Sequence, residues 1–302
     1  MKKLKRCLVT GGAGFIGSHL TERLLNEGCY VTVIDDLSEG KLENLPKHKN
    51  LKMLKTSILG NIRNIIAENE VIFHLAAIPR LQRSLAKPWQ THKVNVEGTL
   101  KLLLGARRHK VSKFIFASSS SVYGDQSRLP FSENMHPNPL VPYSLHKLIG
   151  EKYCQMFSEL WGLETISLRF FNVYGPRMNP AGPYANLIPK FIKLISEDKT
   201  PVINGDGKQR RDFTYVSDVV EATLLAARSH LSGEVFNIGF GKSVSVNEIT
   251  SAINRLLGKN IKPAHGPAVV EPKATLSSSL KAMKILGWKP TVNLENGLKM
   301  MI

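Results

Sequence analysis

The 302-residue sequence predicts an α/β fold, a parallel sheet wrapped by helices on both faces, with a smaller mixed lobe attached. Three observations carry this prediction. Short segments rich in Val, Ile and Phe recur through the first half of the chain, with helix-patterned stretches between them. Strands that are apolar on both faces need helices on both sides of the sheet, which is what strand–helix alternation builds. Closely spaced glycines stand between the first such strand and the first helix. After about Gly175 the alternation breaks, where Pro176, Pro180, Pro183 and Pro189 interrupt the pattern.

In order, "KRCLVTGGAGFIGSHLTERLLNEG" (5–28) reads as strand, glycine turn and amphipathic helix. "CYVTVIDD", "LKMLKT", "VIFHLAA", "KFIFASSS" and "ETISLRF" are the next five strands, with helical patterns at 90–108 and 143–162. "EVFNIGF" reads as one more strand returning to the sheet before the helix "VSVNEITSAINRLLG". The expected division is a dinucleotide-binding domain over 1–175, with a returning segment at about 235–257. A second lobe then spans 176–234 and 258–302.

Composition narrows the function. Apolar residues make up 42% and charged residues 22%, ordinary values for a globular protein. No apolar run approaches the ~20 residues of a membrane span. The start, "MKKLKRCLVTGG", is too short in apolar residues for a signal-peptide core. Cys7, Cys29 and Cys154 are far apart with no metal-ligand spacing, which fits a reducing cytoplasm and no metal. The net charge of +17 is spread along the chain without a basic run or aromatic-interleaved stripe. It points to small anionic ligands rather than nucleic acid.

Gly11, Gly14 and Gly17 form GxxGxxG where strand meets helix. Such glycines let the backbone turn tightly and approach a pyrophosphate seated on the helix N-terminus. Asp35 and Asp36 end the second strand, where a carboxylate would take the adenosine ribose hydroxyls. With no Arg beside them, a 2′-phosphate would meet repulsion, so NAD is favoured over NADP. A plain turn at Asp35–Asp36 is the alternative.

"PYSLHKLIGE" (142–151) sets Tyr143 and Lys147 on one helix face, with Glu151 a further turn on. GxxGxxG, "HLAA" (74–77), "NVEGT" (95–99), "SSSSVYG" (118–124) and "PYSLHK" follow in order. With them the chain resembles, over nearly all its length, the extended short-chain dehydrogenase/reductase superfamily. Its NAD-dependent nucleotide-sugar 4-epimerases are the members it is most similar to. The resemblance implies a Rossmann-type doubly wound sheet. It implies cofactor contacts from Gly11, Gly14, Phe15, Ile16, Gly17, Asp35, Asp36, Ser57, Ile58, Leu75, Ala76, Ala77, Asn95, Ser118, Tyr143 and Lys147. Asn95 would organise the site from behind or be structural.

The same resemblance makes Tyr143 the base, Lys147 its activator and ribose anchor, and Ser119 the hydrogen-bond partner of the reacting oxygen. Ser118 and Ser120 could share that last role. Lowering a phenol from pKa ~10 to ~7 takes roughly 4 kcal/mol, and an ammonium ~6 Å away supplies ~2.8 kcal/mol at an effective dielectric of ~20. The remainder would come from a bound, positively charged nicotinamide. Decarboxylases of the group carry Glu immediately before "VYG"; here that residue is Ser121, and 117–124 holds no carboxylate. The simplest outcome without an added acid or base is oxidation at C4 and return of the hydride to the other face.

For the nucleotide sugar, "RFFNVYGPR" (169–177) and "PVINGDGKQRRDFTYVSD" (201–218) resemble the epimerase segments that bind diphosphate and base. They imply substrate contacts from Asn172, Asn186, Leu187, Val202, Asn204 and Arg211. "AAIPRLQRSLAKP" implies that Arg83 and Ser84 line the sugar pocket, beside Ser119, Ser120 and Tyr143. Thr275 would stand where a bulky aromatic otherwise excludes a 2-acetamido group, which leaves room for UDP-GlcNAc/UDP-GalNAc besides UDP-Glc/UDP-Gal. The expected partners are a UDP-sugar and a second copy of the chain, pairing through 90–108 and 143–162.

Four positions depart from the group's pattern. Ser57 replaces the adenine-binding Asp, His146 the Ser or Thr before the lysine, Ala268 a diphosphate Arg, and Ser278 an acidic residue. Lys262 and Lys273 are candidates to replace the lost Arg. A keto-sugar reductase, a uronic-acid epimerase and a non-catalytic NAD-binding module stay open as alternatives.

Overall fold

The computed structural model describes residues 3–79, 81–180, 187–268 and 273–302. The first half runs β1 (Arg6–Thr10), α1 (Phe15–Asn26), β2 (Tyr30–Asp35), β3 (Leu51–Lys55), α2 (Arg63–Ala67) and β4 (Val71–His74). It continues with α3 (Leu81–Ala86), α4 (Pro88–His92), α5 (Gly98–Arg108), β5 (Lys113–Ser119), α6 (Pro142–Trp161) and β6 (Thr165–Phe170). The second half holds β7 (Val173–Tyr174), α7 (Leu187–Ser196), β8 (Val202–Asn204), β9 (Arg210–Asp212), β10 (Thr214–Tyr215) and α8 (Val216–Arg228). It closes with β11 (Glu234–Ile238), β12 (Ser243–Ser245), α9 (Val246–Leu257), β13 (Ala264–Gly266) and α10 (Leu294–Lys299).

The central sheet has seven strands in the order β11-β6-β5-β4-β1-β2-β3, all parallel. This is the doubly wound α/β class that the sequence predicts. Alternate residues of each strand enter different cores. Cys7, Val9, Val31, Val33, Phe73 and Ile115 pack on one face with α1 and α8. Leu8, Ile34, Ile72, Phe114 and Phe116 pack on the other with α2, α5 and α6. The chain leaves β1 towards β2 on one side and returns to β4 on the other. A crevice opens at the strand C-termini at such a reversal, and ligands of open α/β sheets bind there.

Two helix ends show how local sequence writes these boundaries. Helix α9 begins with a reciprocal capping box between Ser245 and Glu248 and stops at Gly258 in the left-handed conformation. Helix α6 starts with Pro142, whose missing N–H costs nothing in a first turn, and ends at Gly162 (φ 65°). Its own preceding residue, Val141, provides no side-chain cap.

One boundary differs from expectation. Helix α8 falls in the stretch assigned to the second lobe, yet it packs on α1, β5 and β6 as part of the sheet's cover. Its Val219, Ala222, Leu224 and Ala226 are fully buried in the core shared by α1 and the sheet. Outside the central sheet the strands form only short pairings among the described residues, β7 with β10, β8 with β13 and β9 with β12. Trp288 is buried and donates to the Asp218 carbonyl (2.8 Å), while the Asp218 carboxylate accepts from the Thr291 and Val292 amides. These contacts fasten the C-terminal segment to α8. No helix among the described residues is long and apolar enough to cross a membrane.

Candidate active site

A cavity of about 1240 Å³ occupies the crevice beyond the strand ends. Its floor is the glycine turn. Gly11 has φ +72°, and an added Cβ there would lie 2.7 Å from the Ala76 amide nitrogen; one on Gly17 would lie 2.1 Å from the Gly11 carbonyl oxygen. The turn therefore tolerates no side chain at either position. Helix α1 follows with Gly14 at its start, no side-chain cap and no acidic residue in its first turn. First-turn amides without a protein acceptor suit a pyrophosphate. Phe15, Ile16, Leu75, Ala76 and Ala77 line the cavity beside this cradle.

Asp35 and Asp36 lie on the same wall. The Asp35 carboxylate accepts the Ala13 amide on one oxygen (3.0 Å) and the Leu37 amide on the other (2.8 Å). Burial pushes its pKa up, and the amides of Leu37 and Ala13 pull against that shift. Each oxygen keeps lone-pair capacity for a ribose hydroxyl, so its role in the turn does not preclude one at the ribose. Asp36 accepts from the amide and hydroxyl of Ser38. Ser57 and Ile58 line the cavity too, although the Ser57 hydroxyl takes the Leu59 amide and the Ile58 side chain packs on Gly98.

Behind this wall runs a buried hydrogen-bond chain. Thr99 donates to the Asn95 carbonyl (2.8 Å), so His74 Nε2 carries the proton shared with Thr99 (2.8 Å), and Nδ1 accepts from Thr10 (2.8 Å). The Thr10 oxygen in turn receives the Ala76 amide at 3.3 Å. Full burial, reinforced by the Lys147 charge, holds the His74 pKa down to about 3. Asn95, in a π-helical turn (Lys93–Glu97), clamps both the amide and carbonyl of Ile78 at 2.8 and 3.0 Å. It thus supports the loop after β4 from outside the cavity lining.

At the far end of β5, Ser118, Ser119 and Ser120 reach the cavity, as do Tyr143 and Lys147 from α6. Ser119 accepts the Ser121 amide at 3.2 Å. Lys147 is buried, donates to the Ala117 carbonyl at 2.6 Å, and lies 5.8 Å from the centre of the Tyr143 ring. Burial lowers its pKa to about 8, against the opposing charge of Glu151. The Tyr143 amide donates to Ser84 Oγ (3.1 Å), so the cap that α6 lacks locally comes from α3. Ser84 is buried and, instead of lining the sugar pocket, positions the helix that carries the tyrosine.

Of the remaining expected substrate residues, Asn172, Arg211 and Thr275 line the cavity. Asn172 (φ +28°) donates to the Asp212 carbonyl (2.9 Å) and to Thr275 Oγ1 (3.4 Å). Others lie elsewhere. Arg83 is ion-paired with Glu39, and Val202 and Asn204 sit on β8 away from the described lining. Leu187 opens α7 and packs on the core, and Asn186 falls outside the described residues. Nor do Lys262 and Lys273 line the cavity; Arg177 and Arg211 do. Arg177 pairs with Glu22 on α1 and has φ +67°.

Sequence reasoning missed Asp125, which lines the cavity one residue beyond the carboxylate-free stretch 117–124. Its signal was its place directly after "VYG". It also missed Arg177, whose only signal was its position at the end of "YGPR". Among the described residues, no group of three His, Cys, Asp or Glu side chains is placed to hold a metal.

The profile of the NAD dependent epimerase/dehydratase family matches residues 7–239. The chain belongs to that family. The UDP-glucose 4-epimerase of Mycolicibacterium smegmatis is 38% identical, with 97% of this chain and 96% of that protein covered. The UDP-N-acetylglucosamine 4-epimerase of Methanobrevibacter ruminantium, solved with UDP-N-acetylmuramic acid, is 36% identical. It superimposes with TM-score 0.96 over 99% of this chain and 97% of its own. The UDP-glucose 4-epimerase of Thermotoga maritima, solved with UDP-glucose, gives 0.93 at 37% identity over 98% and 97%. Relatives of similar identity are named as a UDP-glucuronate 4-epimerase and a UDP-N-acetyl-alpha-D-glucosaminuronate decarboxylase. This family member is thus an enzyme of the UDP-sugar epimerase group, and its cofactor is NAD.

Proposed function

We propose that the protein is a UDP-sugar 4-epimerase acting on UDP-GlcNAc/UDP-GalNAc, UDP-Glc/UDP-Gal or both. One observation carries the reading: Ser119, Tyr143 and Lys147 meet in the cavity that also holds the glycine cradle and Arg211. Gly11, Gly14, Gly17 and Asp35 would hold NAD, which would supply the hydride acceptor and donor for C4. Tyr143 takes the proton from the C4 hydroxyl, and Ser119 donates to that oxygen. Lys147, 5.8 Å from the centre of the Tyr143 ring, favours the phenolate through its positive charge. After the 4-keto sugar turns in the cavity, Tyr143 returns the proton.

Arg211 and Arg177 are the cations for the diphosphate in the place left by Ala268, and Arg binds phosphate oxygens in a fork. Ser121, where decarboxylases of the group carry Glu, supports epimerisation over decarboxylation. Thr275, small and on the cavity wall, supports acceptance of a 2-acetamido group. Asp125 favours a second reading, in which a further proton transfer accompanies hydride transfer. An epimerase active as Asp125→Asn excludes it.

In this reading the sheet domain carries the cofactor and the second lobe the nucleotide sugar, in a cytoplasmic homodimer. The test is proton NMR of the purified protein with UDP-GlcNAc and, separately, UDP-Glc, with no added NAD. The axial 4-epimer should appear. No change in either sugar, even after NAD is supplied, would sink the assignment.

A further inference from the structure

Glu151 stands one helical turn beyond Lys147 and two beyond Tyr143, and the chemistry above gives it nothing to do. It is 1% exposed. Its Oε1 accepts from Ser118 Oγ and from Arg169 Nε (2.9 Å), and its Oε2 accepts from Arg169 Nη2 (2.7 Å). We propose that Glu151 is a positioning residue for the tyrosine–lysine pair. Its carboxylate supplies the negative charge that keeps Lys147 protonated, and its bond to Ser118 holds the end of β5 against α6. The proposal rests on the roles given to Tyr143 and Lys147 above.

The surroundings of Lys147 argue for this. The ammonium donates to the Ala117 carbonyl and lies 4.9 Å from the Phe116 ring centre, contacts that bring only partial charges. Around it, Cys154 is held as a thiol, its pKa raised to about 12 by burial. His74 from β4 and His146 on α6 are held neutral by burial, near 3 and 4, and His92 from α4 packs edge-on to His146. Tyr143 is the group to be activated. Arg169 from β6 bears on the site through Glu151, with its Cζ 4.7 Å from the centre of the Tyr123 ring. Among the described residues, Glu151 is the one carboxylate that acts on Lys147.

The tether is geometric as well. Two α6 side chains grip successive residues of β5, Lys147 the Ala117 carbonyl and Glu151 the Ser118 hydroxyl. Ser119 is the next residue, so these two bonds hold the strand end that carries it against the helix that carries Tyr143. A purely structural ion pair joining α6 to β6 would need neither the Ser118 contact nor a place one turn from the lysine.

The test follows the titration of Lys147 in the holoenzyme by NMR of protein labelled with carbon-13 at the lysine Cε. The signal is assigned by its loss in Lys147→Met. The native midpoint should lie near 8. In Glu151→Gln it should fall by about one pH unit or more, and the alkaline limb of the activity profile should fall with it. In Glu151→Asp, which keeps the charge, it should stay close to the native value. Glu151→Gln leaves Arg169 buried and unpaired, so Glu151→Gln/Arg169→Gln serves if the single variant does not fold, and its midpoint should also drop. A midpoint unmoved in a folded Gln variant overturns the proposal. The titration needs no substrate, so it stands apart from whether UDP-sugars are epimerised.

Discussion

At the residue scale, the cavity separates groups that do chemistry from groups that hold them. Tyr143→Phe keeps the ring and loses the proton acceptor. Turnover should fall by ~10²–10⁴-fold while bound NAD, measured after release from the denatured protein, stays near the native amount. His74 makes a different prediction. Its folded pKa near 3 lies below the ordinary 6.5, so the folded state binds fewer protons than the unfolded one between those values. The stability this group contributes is complete above pH 6.5 and is lost as pH falls towards 3. At pH 5 the loss is ~2 kcal/mol. The melting temperature should drop accordingly between pH 7 and 5, and His74→Gln should flatten that dependence. Arg83 and Ser84 show the limit of residue-by-residue inference. Their contacts are with Glu39 and with the Tyr143 amide, partners 44 and 59 positions away. A sequence neighbourhood does not reveal which distant acid or amide folding will deliver.

At the element scale, periodicity was the legible signal. Most strands of the central sheet are rich in Val, Ile, Leu and Phe, and the glycine turn names its own geometry. Gly17→Ala places a methyl 2.1 Å from the Gly11 carbonyl oxygen, where backbone must move to admit it. The purified variant should carry less than about one-tenth of the native NAD, measured by absorbance of the released cofactor, with the sheet otherwise folded. The short pairs β7–β10 and β9–β12 left no such trace. Strands of two or three residues are too short for a period, and tertiary contact alone decides their partners. The start of α6 was legible at Pro142, while its cap was not, because it arrives from α3.

At the scale of the whole molecule, α5 and α6 leave Leu104, Met156, Leu160 and Trp161 exposed, with Arg107 stacked on Trp161 at 4.5 Å. Adjacent apolar side chains in solvent are a cost that pairing with a second copy would relieve. Leu160→Glu with Met156→Glu should lower the mass in light scattering from that of two chains to that of one, and a mass equal to the native protein's would rule this face out as the pairing surface. The sequence by itself determined the α/β class, the glycine cradle with its acidic strand end, and the tyrosine–lysine pair. All three depend on spacing along one strand or helix, where geometry is local. The tertiary structure decided that α8 covers the sheet, that Asp125 and Arg177 face the cavity, and that Lys147 is buried one turn from a carboxylate held by Arg169. Burial and the meeting of charges far apart in the chain are properties of packing, and no local pattern encodes them.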